Sequence, residues 1–346
     1  MIASTAVERH DLPLEAAFTI SRGTTETATV LVASVSDDEG RTGYGAAAPN
    51  AYYGESPETV TDTLPALLDR VESVDDPHCQ QRLAREWRDL APDEPAARAA
   101  ASIAVHDLAA RQRDEPLYRR WGLDPDAAPR TSYTVGIGDP ETMAERAAEI
   151  VDAGFPILKV KLGTDDDRAR LEAVREAAPD AAIRVDANGA WSPDAAVDAL
   201  DWLADVGVDL LEQPVPGDDV AGLARVTDAA SIPVAADESC VTAADVPAVA
   251  DAVDAVVVKL MKCGGLRAAM DQIATAHANG LDVMLGCMVE TNASIAAACH
   301  VAPLVKAADL DGSLLLAEDP FEGVDLAGGE IDLAGVTTPG TGVSRD

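Results

Sequence analysis

From residue 132 onward, short apolar runs rich in β-branched residues recur roughly every 25 positions, each separated from the next by a helical stretch. The runs are SYTVGI (132–137), PILKVKL (156–162), AIRVDA (182–187), VDLLEQ (208–213), IPVAAD (232–237), AVVVKLM (255–261), LDVMLG (281–286) and ADLDGSLLL (308–316). The intervening segments carry helix signals. In the first, Asp139 is placed to cap, Pro140 occupies the first helical position and Gly154 follows the end. Strands that alternate with helices form a parallel sheet, and eight is the number that closes a (β/α)₈ barrel. An open doubly wound sheet is the alternative. It would lack its phosphate loop, because Gly136-Ile137-Gly138 does not continue to a third glycine.

Residues 1–125 read differently, as a small α+β domain. Two strand-like runs, 28–37 and 41–49, are joined by a turn at Asp38-Glu39-Gly40, and helices are expected at 57–73 and 95–114. Residues 126–316 hold the barrel. The segment 317–346 is rich in Gly and Pro and is expected to pack back on the first domain.

Most of the barrel runs end on charge. In order the residues are Lys159 and Lys161, Asp186, Glu212, Asp237, Lys259, then Asp309 and Asp311. Buried strands have little reason to carry charges unless the charges do chemistry, and the C-terminal mouth of a barrel is where active sites are built. Asp186, Glu212 and Asp237 come from three consecutive strands. Such an all-oxygen set suits a hard cation, Mg²⁺ first and Mn²⁺ as the alternative. Zinc is disfavoured because no Cys or His joins the set.

Lysine is scarce: of 26 basic residues only Lys159, Lys161, Lys259, Lys262 and Lys306 are lysines, and four of them lie in KVK and KLMK. Arginine cannot replace them as a base. Lys159 and Lys161 share one face of a strand, and Lys259 lies roughly across the barrel. A metal on one wall and an amine on each side suits removal of a proton next to a carboxylate and its return to either face. Crowding of positive charge is expected to lower one lysine toward neutrality. Lys262, at a strand–helix turn, is read as structural and outside this geometry.

The formal net charge of −35 over 346 residues argues against nucleic-acid and anionic-membrane partners. No apolar run is long enough to span a membrane. Glu8, Arg9 and Asp11 interrupt any secretory leader, which points to the cytoplasm. A strongly acidic, lysine-poor surface suits concentrated salt, so a halophilic source is expected. The five cysteines form no C-x-x-C and read as core residues of a reducing compartment.

Together these residues resemble the enolase superfamily, specifically its muconate-lactonizing subgroup. The resemblance rests on KVK at 159–161, RVDANGAW at 184–191, LLEQPV at 210–215, ADES at 236–239 and VKLMKCGG at 258–265, with FTISRG at 18–23 and YYGE at 52–55. It implies a modified (β/α)₈ barrel with an N-terminal capping domain. Asp186, Glu212 and Asp237 would bind Mg²⁺. Lys161 and Lys259 would be the two acid–base catalysts, with Lys159 assisting. Asp309-Leu310-Asp311 is similar to the D-x-D of dipeptide epimerases, whose carboxylates receive the substrate's α-ammonium, and Thr134 matches a substrate-contacting position there. The implied activity is epimerisation of the C-terminal residue of a dipeptide by 1,1-proton transfer. The alternative is a muconate-type cycloisomerase or o-succinylbenzoate synthase of the same subgroup. Specificity would come from the capping domain: Arg22 against an acidic side chain, or Tyr52 and Tyr53 around an apolar one. The resemblance also implies a homo-oligomer.

Overall fold

The computed structural model describes residues 1–345. The chain opens with an antiparallel sheet of β1 (Ile2–Ile20), β2 (Gly23–Asp37) and β3 (Thr42–Ala47) in the order β1-β2-β3. The turn expected at 38–40 joins β2 to β3, with Gly40 at φ +83° and the Asp37 carboxylate accepting from the Glu39 and Arg41 amides. β1 was not expected. It is an edge strand, half exposed along most of its length and broken by a register shift between Pro13 and Phe18, so its alternation is faint in the sequence.

Helices α1 (Pro57–Val74), α2 (Gln80–Leu90) and α3 (Pro95–Arg111) cover this sheet. Ser56 caps α1 through a reciprocal pair with Thr59. Helix α3 is buried all round and lies so close to β3 that a Cβ on Gly43 or Gly45 would collide with the backbone of Ala104 or Ala100. A short α4 (Leu117–Arg120) leads toward the barrel.

The eight expected barrel strands are present and parallel. They are β4 (Tyr133–Val135), β5 (Ile157–Lys161), β6 (Ala182–Asp186), β7 (Val208–Glu212), β8 (Val234–Ala236), β9 (Ala255–Lys259), β10 (Asp282–Gly286) and β11 (Ala307–Asp309), each paired with its sequence neighbour. The circle is brought nearly closed by a parallel bridge between Thr131 and Ala308. The strands are shorter than the expected runs, and two end with consequence for the site: β8 stops before Asp237, and β11 stops at Asp309, with a 3₁₀ turn (Gly312–Leu315) beginning beyond Asp311. The outer helices are α5 (Pro140–Asp152), α6 (Asp167–Ala177), α7 (Pro193–Val206), α8 (Val220–Ala229), α9 (Val246–Val249), α10 (Leu260–Cys263), α11 (Leu266–Ala278) and α12 (Asn292–Cys299). Asp139 caps α5 as expected, its side chain accepting from the Thr142 amide.

The last segment pairs β12 (Phe321–Glu322) with β13 (Ser344–Arg345). It touches the N-terminal domain through Arg345 on Glu8 at 2.7 Å and the Thr341 amide on Asp107 at 2.7 Å. All five cysteines are free. Among the described residues no helix is long and apolar enough to cross a membrane.

Candidate active site

Register brings the charged strand ends together. Lys161 pairs with Asp186, Asp186 with Glu212, and Thr134 with Lys159 across adjacent strands. Lys159 Nζ stands at the centre, 2.8 Å from Asp309 Oδ2, 2.8 Å from Glu212 Oε2 and 3.3 Å from Asp186 Oδ2. Lys161 Nζ donates to Asp186 Oδ2 at 2.6 Å. Across the mouth, Lys259 Nζ donates to Asp237 Oδ2 at 2.8 Å. The three ammoniums line a cleft of about 150 Å³, and the carboxylates of Asp186, Glu212 and Asp237 lie fully buried behind them.

The electrostatics follow from that layering. Burial works to raise the Asp186 and Asp237 carboxyls, but the neighbouring ammoniums outweigh it and hold both well below the carboxylate range. Glu212 goes the other way: burial, reinforced by Asp186, pushes it up to about 8. Burial works to lower Lys159 and Lys259, yet the carboxylates around them hold both above the ordinary lysine value. Each of these two ammoniums faces a carboxylate before it faces another lysine.

The all-oxygen character of the three-strand set fits a hard cation. Both Glu212 oxygens lack a hydrogen-bond donor, the Lys159 contact being off-angle for a hydrogen bond. A buried, donorless carboxylate beside two others is a position that a divalent cation would satisfy. Among the described residues no three His, Cys, Asp or Glu side chains are already drawn into a ligand cluster.

Lys262 departs from the expectation that it lies outside this geometry. It is fully buried, and its Nζ donates to Asp237 Oδ1 at 2.5 Å and to the carbonyls of Asp237, Val257 and Cys240. It is structural in what it does, but it belongs to the site, because it grips one oxygen of Asp237 while Lys259 takes the other.

At the far wall Asp309 accepts from Ser132 Oγ at 2.7 Å and Asp311 from the Thr134 amide at 2.6 Å. Thr134, Asp309 and Asp311 all line the cleft. Burial and the Asp309 charge push Asp311 up to about 7. The hairpin between β1 and β2 reaches over the mouth and adds Phe18, Ile20 and Arg22. Arg22 Nη1 donates to Glu238 Oε1 at 2.7 Å and to the Asn188 carbonyl at 2.9 Å, and its guanidinium lies 4.6 Å over the Tyr52 ring. Tyr53 packs edge-on against Tyr52 and does not line the cleft.

Several contributors were not singled out from the sequence. Asn188 adopts φ +48°, and its side chain meets Lys161, Asp186 and Glu238. Gln213, buried at φ +36°, accepts from the Asp237 amide at 2.9 Å and so fixes the backbone there. Both sit inside motifs whose charged neighbours drew attention first. A polar residue one or two places beyond each strand-end acid was the available signal.

Fold and site together define a capped (β/α)₈ barrel of the enolase type, with acid–base groups and carboxylates at the C-terminal ends of its strands. Residues 142–346 match the family described as Enolase C-terminal domain-like, and residues 2–122 match the Mandelate racemase / muconate lactonizing enzyme, N-terminal domain. The chain belongs to the mandelate racemase / muconate lactonizing enzyme family. It is 38% identical over 340 residues, 97% of this chain and 86% of the relative, to the L-Ala-D/L-Glu epimerase of Bacteroides thetaiotaomicron. It is 36% identical over 327 residues, 92% of each chain, to the hydrophobic dipeptide epimerase of Enterococcus faecalis. The crystal structure of the Enterococcus faecalis V583 dipeptide epimerase with Mg and the dipeptide L-Leu-L-Tyr superposes with a TM-score of 0.93 at 34% identity, covering 99% of both chains.

Proposed function

We infer that the chain is a metal-dependent dipeptide epimerase that inverts the α-carbon of the C-terminal residue. The observation that carries this reading is the placement of the Lys161 and Lys259 amines at separate walls of one cleft, with the Asp309–Asp311 pair lining the same cleft. Similarity to dipeptide epimerases over nearly the whole chain supports it.

In this reading Asp186, Glu212 and Asp237 hold Mg²⁺, with Mn²⁺ as the alternative. When bound, the cation supplies positive charge beside the substrate carboxylate and so favours loss of the neighbouring α-hydrogen. One of Lys161 and Lys259, as the neutral amine, takes that proton, and the other, as the ammonium, delivers a proton to the opposite face. Reversal exchanges their roles. Lys159, 1% exposed and permanently charged between three carboxylates, offers a fixed positive charge to the enediolate.

Asp309 and Asp311 receive the α-ammonium, whose donors and charge two carboxylates match. Cycloisomerase and succinylbenzoate substrates carry no ammonium, and the pair would repel them. The rim formed by Phe18, Ile20, Met288, Val289 and Leu315 is apolar, and Arg22 is already committed to Glu238. The dipeptide's variable side chain is accordingly apolar rather than acidic. We further place the chain in the cytoplasm as a homo-oligomer, which light scattering of the purified protein tests.

The experiment is mass-resolved exchange in D₂O with Mg²⁺, using pools of L,L-dipeptides and their N-acetylated counterparts. The expected result is gain of one deuteron and a new diastereomer from free dipeptides with apolar side chains, and none from the acetylated ones. Exchange that ignores acetylation removes the ammonium assignment. Silence from every pool with folded, Mg²⁺-loaded protein overturns the epimerase reading.

A further inference from the structure

Away from the active site, a cavity of about 280 Å³ lies in the seam between the capping domain and the barrel. Its capping-domain wall carries Arg88 from α2 and Arg98 from α3, and its barrel wall carries Arg267 and the start of α11. Three arginines around one cavity run against the charge of this chain, which is −35 overall. Among the described residues neither Arg88 nor Arg98 pairs with a carboxylate, and Arg267 is balanced by Asp271 at 3.2 Å. The cavity therefore carries a net positive charge that its own acids leave unanswered.

Arg98 gives the cavity a built polar wall. It is only 9% exposed, and its Nη1 is spent on the carbonyls of Ala91 and Pro92. Arg98 lines the cavity, and among the described residues its hydrogen bonds all run through Nη1. A bound oxyanion could accept in a fork from the N–H groups of this guanidinium that the two carbonyls leave free.

Helix α11 supplies the opposite face. Its cap residue is Gly265, no side chain caps its first turn and no acid lies within that turn. Its leading amides are open toward an acceptor. Gly264 and Gly265, at φ +94° and +108°, let the turn approach α3 this closely, because a Cβ on either would strike Arg98 or Ser102.

We propose that this seam cavity binds a small oxyanion, inorganic phosphate or a phosphate monoester, held by Arg98, Arg88 and Arg267 against the open first turn of α11. Its volume sits just below the roughly 300–1,000 Å³ of small-molecule pockets, enough for a phosphate with a short organic body. Because its walls come from both domains, the bound anion fastens the capping domain to the barrel.

The test is thermal unfolding of the full chain titrated with inorganic phosphate, with glycerol 3-phosphate, and with KCl at matched ionic strength. The expected result is a saturable rise in Tm for at least one phosphate beyond the KCl control. Arg88→Gln, whose side chain holds no partner that folding needs, is expected to raise the half-saturating concentration at least fivefold. Arg168→Gln, the same charge change on the distant helix α6, is expected to leave it unmoved. Tighter binding of glycerol 3-phosphate than of inorganic phosphate assigns the site to a monoester, and the reverse order assigns it to the free anion. A phosphate response equal to that of KCl, or an Arg88→Gln titration that overlays the wild type, overturns the proposal. None of these readings depends on the epimerase assignment.

Discussion

Lys262 Nζ lies 2.5 Å from Asp237 Oδ1, and Lys259 takes the other oxygen of the same carboxylate at 2.8 Å. One carboxylate is thus held between a lysine that faces the cleft and a lysine that never sees it. Replacing Lys262 by Met leaves Asp237 and three carbonyls without their donor in a fully buried site. Loss of one partner of such a group costs about 3–5 kcal/mol. Lys262→Met is expected to lower Tm markedly and, in whatever folded protein is recovered, to weaken Mg²⁺ binding about 10- to 100-fold. Calorimetry with Mg²⁺ reads the second effect, and unchanged affinity would remove Lys262 from the site.

The two amines that line the cleft should be separable by isotope. Lys161→Ala and Lys259→Ala are each expected to reduce epimerisation by about 10²–10⁴-fold. Each variant retains one base, so each should still exchange the α-hydrogen of one epimer in D₂O, and the two variants should choose opposite epimers. Exchange of the same epimer by both would mean that the lysines do not address opposite faces.

Glu55 offers a pH prediction outside the site. It is almost fully buried and accepts from the Ala96 amide at 2.8 Å. Burial pushes its carboxyl up to about 8, against the lowering by that amide. A raised carboxyl favours the protonated folded state. The stability it contributes is complete below its ordinary value of 4.5 and is lost as pH climbs through about 8. The Tm difference between wild type and Glu55→Gln should therefore move against the wild type from about pH 4.5 up to about pH 8 and level off above it. A pH-independent difference would sink this assignment.

The surface makes a prediction about salt. A charge of −35 repels itself in the folded state, and the screening length falls from about 10 Å at 0.1 M salt to about 3 Å at 1 M. Tm should rise steadily with KCl across that range. A flat response would show that the acidic surface is already neutralised locally, and would remove the argument for adaptation to salt.

Much of the barrel could be read from the chain because strand-end charges mark each βα unit. Lys161, Asp186, Glu212 and Asp237 are separated by one unit each, and register sets the first three side by side. What was not legible depended on long-range approach. Arg22 and Glu238 are 216 residues apart, and neither sequence neighbourhood announces the other. Lys262 reads as structural from its place at a strand–helix turn, and only the fold shows that its amine reaches Asp237. Helix α2 went unread although Leu83 and Trp87, one turn apart, are its buried face. Strand β1 was missed because an edge strand with both faces partly wet carries little alternation.

The cleft is assembled from two sources: its charged floor from the ends of barrel strands, its apolar rim partly from the β1–β2 hairpin of another domain. Substitutions at Phe18 or Ile20 can reshape what fits without disturbing a single strand-end lysine. A lineage built this way can change its diet quickly while its reaction stays fixed, and laboratory evolution of new side-chain preferences should begin at that hairpin.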